Sequence, residues 1–229
     1  MELEPVTGIV PRFANRAEGG LRLARMLRHY RRKPDTLVVG VARGGLIAAA
    51  AVAGELALPL DVLVICRLET PGHQDLTMGA IGPDDVRILD RDLIKSMRLT
   101  QAAIVSETQR QWLEFRRRQR LYRDDRLPLD VFGKNVIVVD DGIDSGATIN
   151  VALSIIHRHH AASIVVAVPV APPRESVRLR NEADAFLCLY SPEPFFGIRY
   201  WYGDYSAPGD QDVLQALARC RRPVALAAV

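Results

Sequence analysis

Residues 136–148 read Val-Ile-Val-Val-Asp-Asp-Gly-Ile-Asp-Ser-Gly-Ala-Thr and form the most informative stretch of the chain. Four branched apolar residues end in two adjacent acids, a turn of small residues follows, and a helical pattern begins near Ala147. This order predicts a buried strand, a loop and the N-terminus of a helix. The loop then brings carboxylates and unpaired backbone N–H groups to one point in space.

The second half of this loop has the composition of a phosphate site. A helix N-terminus offers unpaired N–H donors and the positive end of the helix dipole. Gly142 and Gly146 let the backbone approach a ligand closely. The hydroxyls of Ser145 and Thr148 can donate to a phosphate or cap the helix. Together these residues predict the binding of a phosphate group.

The two acids require a different partner, because carboxylates repel phosphate. Ionised Asp140 and Asp141 only accept hydrogen bonds, so the two hydroxyls of a ribose suit them. Acids beside amides therefore predict a site for a ribose 5-phosphate. The alternative is a strand-to-helix turn in which the acids only cap the helix.

The rest of the chain alternates branched apolar runs with helical patterns. This alternation predicts a Rossmann-like α/β fold, with a mainly parallel sheet covered by helices on both faces. The length of 229 residues suits one domain spanning residues 1–229. In such sheets, ligands bind beyond the carboxyl ends of the strands. The predicted strands are 36–42, 60–66, 86–89, 136–139, 164–170 and 185–189, and the predicted helices are 17–30, 46–56, 100–122, 147–160 and 174–183.

Residues 136–148 closely resemble the phosphoribosyl pyrophosphate (PRPP) signature of type I phosphoribosyltransferases. That signature consists of an apolar strand, then two acids, then a loop of small and hydroxyl-bearing residues. The resemblance implies that family's fold, with a small hood segment. It also implies that Asp140 and Asp141 hold the ribose hydroxyls and contact Mg²⁺ only through water. The expected PRPP-binding residues are Arg43, Gly44, Gly45, Asp140, Asp141, Gly142, Ile143, Asp144, Ser145, Gly146, Ala147 and Thr148.

A second loop lies upstream, where the strand 36–42 is followed by Arg43, Gly44 and Gly45. In the family this loop binds pyrophosphate, so the resemblance implies that Arg43 meets the leaving group while the glycines allow close backbone approach. Taken alone, Arg-Gly-Gly is more often a plain turn. The helix that follows is too short to span a membrane, which needs about 20 apolar residues.

The resemblance covers most of residues 12–206 and points to a poorly characterised bacterial branch of the family. Besides the two loops, it is carried by residues 13–21 (FANRAEGGL), 167–173 (AVPVAPP), 192–196 (PEPFF) and 201–202 (WY). Only the PRPP segment is specific enough to carry function. The other stretches mainly support the fold.

The acceptor is less clearly indicated than the donor. Asp144 stands where the 6-oxopurine enzymes of the family carry an aspartate thought to act as the base, which implies a purine-like acceptor; the alternative is a helix-capping acid. An aromatic-rich segment follows at residues 195–205. It predicts either a hood on which a flat base stacks, with contacts from Phe196, Tyr200 and Trp201, or a packed segment that closes the core.

The polar segment 69–81 follows a strand, at the place where family members close a mobile loop over the reaction. Such a lid would exclude water. Gly72 and Gly79 are the expected hinges, and His73 is either a pyrophosphate donor or a solvated surface residue.

Seven arginines mark the predicted helix 100–122 and the residues just after it. The simpler interpretation is a solvated helix face, with Glu107–Arg110 and Glu114–Arg117 ion pairs. The alternative is a nucleic-acid surface, but the net charge of only +3 makes nucleic acid an unlikely partner. The helix could also form a homodimer contact. The seven residues are Arg110, Arg116, Arg117, Arg118, Arg120, Arg123 and Arg126.

Three widely spaced cysteines, Cys66, Cys188 and Cys220, predict a reduced, cytoplasmic environment. The first residues lack the basic start and apolar core of a signal peptide. Neither a Walker phosphate loop nor a Gly-x-Gly-x-x-Gly fingerprint occurs in the sequence.

These features predict an enzyme that transfers a phosphoribosyl group from PRPP to a nitrogenous small-molecule acceptor and releases pyrophosphate, with Mg²⁺ as cofactor. The expected catalytic residues are Asp140, Asp141, Asp144 and Arg43. Two alternatives are a PRPP- or nucleotide-binding regulator that does not catalyse a reaction and could bind nucleic acid, and a hydrolase that uses the same pocket on a nucleotide.

Overall fold

The fold is that of a computed structural model, which describes residues 12–123 and 129–220. Its main sheet has five strands in the order β2-β1-β6-β7-β8, and every neighbouring pair is parallel. A second sheet is antiparallel, in the order β3-β4-β5. The strands are β1 (Thr36–Ala42), β2 (Leu60–Val64), β3 (Cys66–Thr70), β4 (His73–Ile81), β5 (Arg87–Leu89), β6 (Asn135–Val139), β7 (Ser163–Val170) and β8 (Ala185–Tyr190).

Helices cover both faces of the main sheet. One face packs against α1, α2, α4 and α7, and the other against α5 and α6. Apart from their first residues, the central strands β1, β6 and β7 carry no polar side chain, because both of their faces are buried. The predicted α/β architecture is confirmed. The helices are α1 (Arg16–Met26), α2 (Gly44–Leu56), α3 (Arg91–Ser96), α4 (Gln101–Arg123), α5 (Ala147–Arg158), α6 (Pro173–Glu182) and α7 (Asp210–Arg219), with short 3-10 turns at Arg28–Tyr30 and Ile198–Trp201.

Sheet topology brings the two expected ligand loops together. Strands β1 and β6 are neighbours, with Gly40 opposite Val139 near their carboxyl ends. From β1 the chain continues to β2 on one side, whereas from β6 it continues to β7 and β8 on the other. The crevice between β1 and β6 is therefore the topological switch point, where ligands of open α/β sheets bind.

The segment expected to be a polar mobile loop is instead an antiparallel hairpin. β2 ends at Val64, and Cys66 begins β3, so the single predicted strand 60–66 is divided between two sheets. The hairpin turns at Gly72, whose φ is +79°. Gly79 pairs with Leu89 inside the small sheet and does not lie at a hinge. The hairpin forms because Leu68, Met78 and other alternate side chains are buried beneath it.

Helix α1 packs closely against α2, and this contact fixes the start of α1 beside the crevice. A Cβ on Gly20 would lie 2.2 Å from the backbone oxygen of Ala48. We therefore expect Gly20→Ala to lower the free energy of unfolding by roughly 1–3 kcal/mol or more, because the helices must move apart. Urea unfolding measures the change.

Gly54 in α2 supplies the matched control, since a Cβ there meets no atom within 4 Å. Gly54→Ala should stabilise the protein by about 0.5–1 kcal/mol through the helix preference of alanine. Equal urea midpoints for Gly20→Ala and wild type would contradict the close packing of α1 on α2.

None of the helices in the described residues combines the length and the apolar character needed to cross a membrane.

Candidate active site

A cavity of about 770 Å³ opens where the loops after β1 and β6 meet. This volume lies in the range of small-molecule sites. Its base is formed by the two loops, and its walls come from the β3–β4 hairpin, α4 and the segment around Ile198 and Tyr205. Most of the expected PRPP-binding residues line it, namely Arg43, Gly44, Asp140, Asp141, Gly142, Asp144, Ser145, Gly146 and Thr148.

The two acids that follow β6 lie at the bottom of the cavity, each only 7% exposed. Asp140 Oδ1 accepts a hydrogen bond of 2.8 Å from the backbone N–H of Asp141. Burial, reinforced by the neighbouring Asp141 carboxylate, raises the pKa of Asp140 well above its ordinary value. The acids therefore do not act as two equivalent surface carboxylates.

Asp141 is held by an arginine that sequence reasoning does not select. Arg16 Nε donates to Asp141 Oδ2 at 2.6 Å, and the arginine is 8% exposed. It begins α1, 125 residues from its partner. The residue lies within the family-like stretch 13–21, but as a sequence that stretch supports only the fold.

The loop before α5 has the form of an anion site. Gly146 occupies the N-cap position with φ +72°, and within the described residues no side chain caps the helix. The N–H groups of the first turn are therefore left for a ligand, an arrangement that is also found at phosphate-binding helix N-termini. The positive φ of Gly146 favours glycine here, whereas the atom nearest to an added Cβ, Glu175 Oε2 at 2.4 Å, ends a flexible side chain that could move aside.

The loop at Arg43, Gly44 and Gly45 directly contacts the acidic loop, which carries Asp140 and Asp141. A Cβ on Gly44 would lie 2.2 Å from Asp141 Oδ2, and one on Gly45 would lie 2.5 Å from Asp140 Oδ1. Helix α2 begins at Gly44 without a side-chain cap, and the Ala42–Arg43 peptide bond is cis. The glycines are thus needed for two loops to share one small space.

Cations surround the cavity, but their pairing differs. In the part of the chain that the structure describes, no carboxylate lies within ion-pair distance of Arg43 or Arg67. Both guanidinium groups are therefore available to an anionic ligand. Arg67 lies on β3 and is not selected by sequence reasoning. The apolar run 60–66 predicts one strand that ends just before Arg67, so the separate strand β3 is not predicted.

The arginines of α4 that line the cavity are paired. Arg110 contacts Glu107 and Glu69, and the neighbouring Arg117 bonds to Glu114 and Asp210. The two predicted i,i+3 ion pairs are confirmed. Arg116 and Arg120 are exposed in a groove that adjoins the cavity at Leu113 and Arg117, and neither lines the cavity itself. Arg126 lies outside the described residues.

Asp144 faces the cavity and does not cap α5. Its side chain is open to the cavity, yet the surrounding protein removes enough water to raise its pKa above the ordinary value. Arg67 and the nearby backbone N–H of Ile198 oppose this rise, and Asp141 adds to it. A carboxylate in this environment is a stronger base than one in water.

The aromatic segment differs from the expected stacking hood. Trp201 is buried and stacks on Tyr190, with ring centroids 6.4 Å apart, whereas Phe196 is 44% exposed. Neither of these residues, nor Tyr200, lines the cavity, because this part of its wall is formed by Ile198 and Tyr205. Acceptor contacts from Phe196, Tyr200 and Trp201 stay a prediction that the cavity geometry does not support.

The acids at the base of the cavity are the residues expected to contact Mg²⁺ through water. Among the described residues, no group of three or more His, Cys, Asp or Glu side chains is arranged to hold a metal. Mg²⁺ commonly binds one or two carboxylates together with water and substrate phosphates. Asp140 and Asp141, next to a phosphate-type loop, fit an ion of that kind.

Comparison with known proteins assigns the family. A domain model described as phosphoribosyl transferase domain matches residues 22–198. Two curated relatives from Mycobacterium tuberculosis, strains CDC 1551 / Oshkosh and H37Rv, are named "Putative phosphoribosyl transferase" and are each 35% identical over 213 residues. This match covers 93% of the chain and 48% of each relative, so the chain spans about half the length of those proteins.

A solved structure supports the same assignment. The protein TT1426 from Thermus thermophilus is 31% identical, with a TM-score of 0.71, over 91% of this chain and 98% of that one. The fold, the paired loops and the domain match agree with one another. The chain therefore belongs to the phosphoribosyl transferase family.

Proposed function

We propose that this protein transfers the phosphoribosyl group of PRPP to a nitrogen atom of a small acceptor and releases pyrophosphate. The observation that carries the proposal is the meeting of three parts in one cavity: the uncapped N-terminus of α5, the buried acids Asp140 and Asp141, and the loop at Arg43. These parts match the 5-phosphate, the ribose hydroxyls and the pyrophosphate of the donor.

The proposed reaction breaks the bond between ribose C1 and the pyrophosphate oxygen, so positive charge develops on the ribose ring. We expect the Asp140 and Asp141 carboxylates, at the base of the cavity, to stabilise that charge. Arg43 and the Gly44 and Gly45 amides receive the negative charge of the departing pyrophosphate. Mg²⁺, when bound with the donor, would help to neutralise the pyrophosphate.

A direct test is calorimetry with PRPP and MgCl₂, followed by assays of pyrophosphate release with a panel of nitrogenous bases. Binding that disappears with EDTA, and turnover with at least one base, are expected. A folded sample that does not bind PRPP would refute the proposal. Release of free base or phosphate from a nucleotide would instead favour a hydrolase.

The regulator is the second candidate because α4 exposes Arg116 and Arg120 beside Leu113 and Leu121. Such a protein would bind PRPP or a nucleotide without turnover. It would also bind oligonucleotides with an affinity that falls steeply as salt rises.

Asp144 is proposed to accept or steer the proton of the acceptor nitrogen, with a purine-like base as the first acceptor to test. Asp144→Asn should lower kcat by roughly 10²–10⁴-fold while PRPP affinity stays close to wild type, because general-base catalysis is lost and donor binding is not. Because the pKa of Asp144 is raised, activity of the wild type should fall on the acid side at a pH above the ordinary aspartate value.

Steady-state kinetics from acid to neutral pH, alongside calorimetry, separate the two effects. The charged groups that act on Asp144 are Arg67 from β3 and Asp141 from its own loop. Full activity of Asp144→Asn with an unchanged pH profile would remove Asp144 from the chemistry.

A further inference from the structure

A buried ion pair at the cavity joins Asp141 to Arg16, and Arg16 has no role in the transfer steps above. Arg16 and Asp141 line the cavity together, and their side chains are 9% and 10% exposed. The contact from Arg16 Nε to Asp141 Oδ2 is 2.6 Å. The carboxylate proposed for a ribose hydroxyl therefore has one of its oxygens occupied by the protein itself.

Arg16 is fixed by contacts other than its carboxylate partner. Its Nη1 donates to the backbone oxygen of Ser206 at 2.7 Å. Its guanidinium carbon lies 3.9 Å from the centre of the Tyr205 ring, which is a close cation–π contact. A planar guanidinium held at its face and at two nitrogens cannot rotate freely, so it presents Nε to Asp141 in one direction.

The backbone of Asp141 is held from the same segment. Tyr202 Oη donates to the backbone oxygen of Asp141 at 2.6 Å. Tyr202 is buried and forms a parallel bridge with Phe13, three residues before Arg16, and the N–H of Gly203 donates to the Phe13 oxygen at 2.8 Å. The start of α1 and the segment 202–206 thus meet behind the acidic loop.

We infer that Arg16 is a positioning residue for the ribose subsite and sets the orientation of the Asp141 carboxylate. Tyr205 and Ser206 hold Arg16 in turn, and Tyr202 holds the backbone of Asp141. The inference rests on the proposed function, because it takes Asp141 as a contact of a ribose hydroxyl. An ion pair with a purely structural role would not need to involve a carboxylate that lines the cavity.

The proposed role of Arg16 concerns only the ribose of PRPP, so it can be measured separately from pyrophosphate binding. Arg16→Gln should lower the affinity for ribose 5-phosphate by about 10-fold or more, the size of effect expected from one charge-assisted hydrogen bond. Affinity for pyrophosphate, measured with MgCl₂, should change little because the loop at Arg43 is untouched. Arg16→Lys keeps the charge without the planar fork and should recover part of the affinity.

A double-mutant cycle separates positioning from an independent contact. If Arg16 acts through Asp141, then Arg16→Gln should have little further effect on ribose 5-phosphate affinity in the Asp141→Asn background. The matched control is Arg25→Gln, an exposed arginine of α1, which should leave both affinities unchanged. Additive losses in the cycle would overturn the inference.

Two outcomes distinguish this inference from the proposed function. A wild-type protein that binds neither PRPP nor ribose 5-phosphate would refute both. A wild type that binds them, with an Arg16→Gln variant of equal affinity, would refute only the positioning role. If Arg16→Gln does not fold, Tyr202→Phe removes the hydrogen bond to Asp141 without a buried charge, and it should still weaken ribose 5-phosphate binding selectively; unchanged affinity would again refute the role.

Discussion

Replacing Asp140 and Asp141 together with asparagine is expected to weaken PRPP binding by a factor of roughly 10²–10⁴. Each ionised carboxylate would lose a charge-assisted hydrogen bond to a ribose hydroxyl, worth about 1.5–3 kcal/mol, and about 1.4 kcal/mol corresponds to a tenfold change in affinity. Asparagine keeps the size of the side chain, so the loops at Gly44 and Gly45 should keep their contact. Calorimetry with PRPP and with pyrophosphate measures the loss and its selectivity.

The single variants supply the control for folding, because the two acids are expected to affect the stability of the ligand-free protein in opposite ways. Burial raises the pKa of Asp140, so its ionised form is held at a cost in the folded state. A raised folded-state pKa gives stability that is complete below the unfolded-state pKa and is lost as pH rises. Asp140→Asn should therefore raise Tm at neutral pH, with a smaller gain in acid.

Asp141→Asn should have the opposite effect on Tm, because it leaves Arg16 buried without its carboxylate. Thermal unfolding of both variants at acid and neutral pH tests this contrast. A double variant that is folded and binds PRPP as tightly as wild type would rule out ribose recognition by the acids.

Local sequence was sufficient for the parts of the site that lie within one short segment. The strand and loop at 136–148 could be read because branched residues, acids and small residues follow one another directly. The same holds for Arg43 and the strand before it. Since parallel strands carry their ligand loops at one edge, the meeting of the two loops also followed from the predicted architecture.

Contacts between distant segments could not be predicted in this way. Nothing in the local sequence distinguishes Arg16 from any other arginine at the start of a helix. Only the packing of α1 on α2 brings it to Asp141. The direction of aromatic side chains is likewise set by packing, so Tyr205 lines the cavity while Trp201 turns inward. The hairpin was missed because a polar strand over one buried face has the composition of a loop.

Arg43→Ala is expected to lower kcat by roughly 10²–10³-fold, comparable to the removal of a positioned donor from an oxyanion site. In the described part of the chain Arg43 has no carboxylate within ion-pair distance, so its removal leaves no orphaned acid and the fold should be retained. Pyrophosphate binding should weaken as well, because Arg43 is proposed to meet the leaving group. Single-turnover release of pyrophosphate measures the chemical step separately from product release.

The matched control for this prediction also decides between the enzyme and the regulator. Arg116→Ala changes an exposed α4 arginine that does not line the cavity, so an enzyme should keep its turnover in that variant. In a nucleic-acid-binding regulator, Arg116→Ala is the variant with the larger effect. It should weaken oligonucleotide binding and make that binding less dependent on salt, whereas Arg43→Ala should leave it unchanged. Because Arg43 lines the cavity and Arg116 does not, one pair of variants tests both functions. Normal kcat in Arg43→Ala would contradict its role at the leaving group.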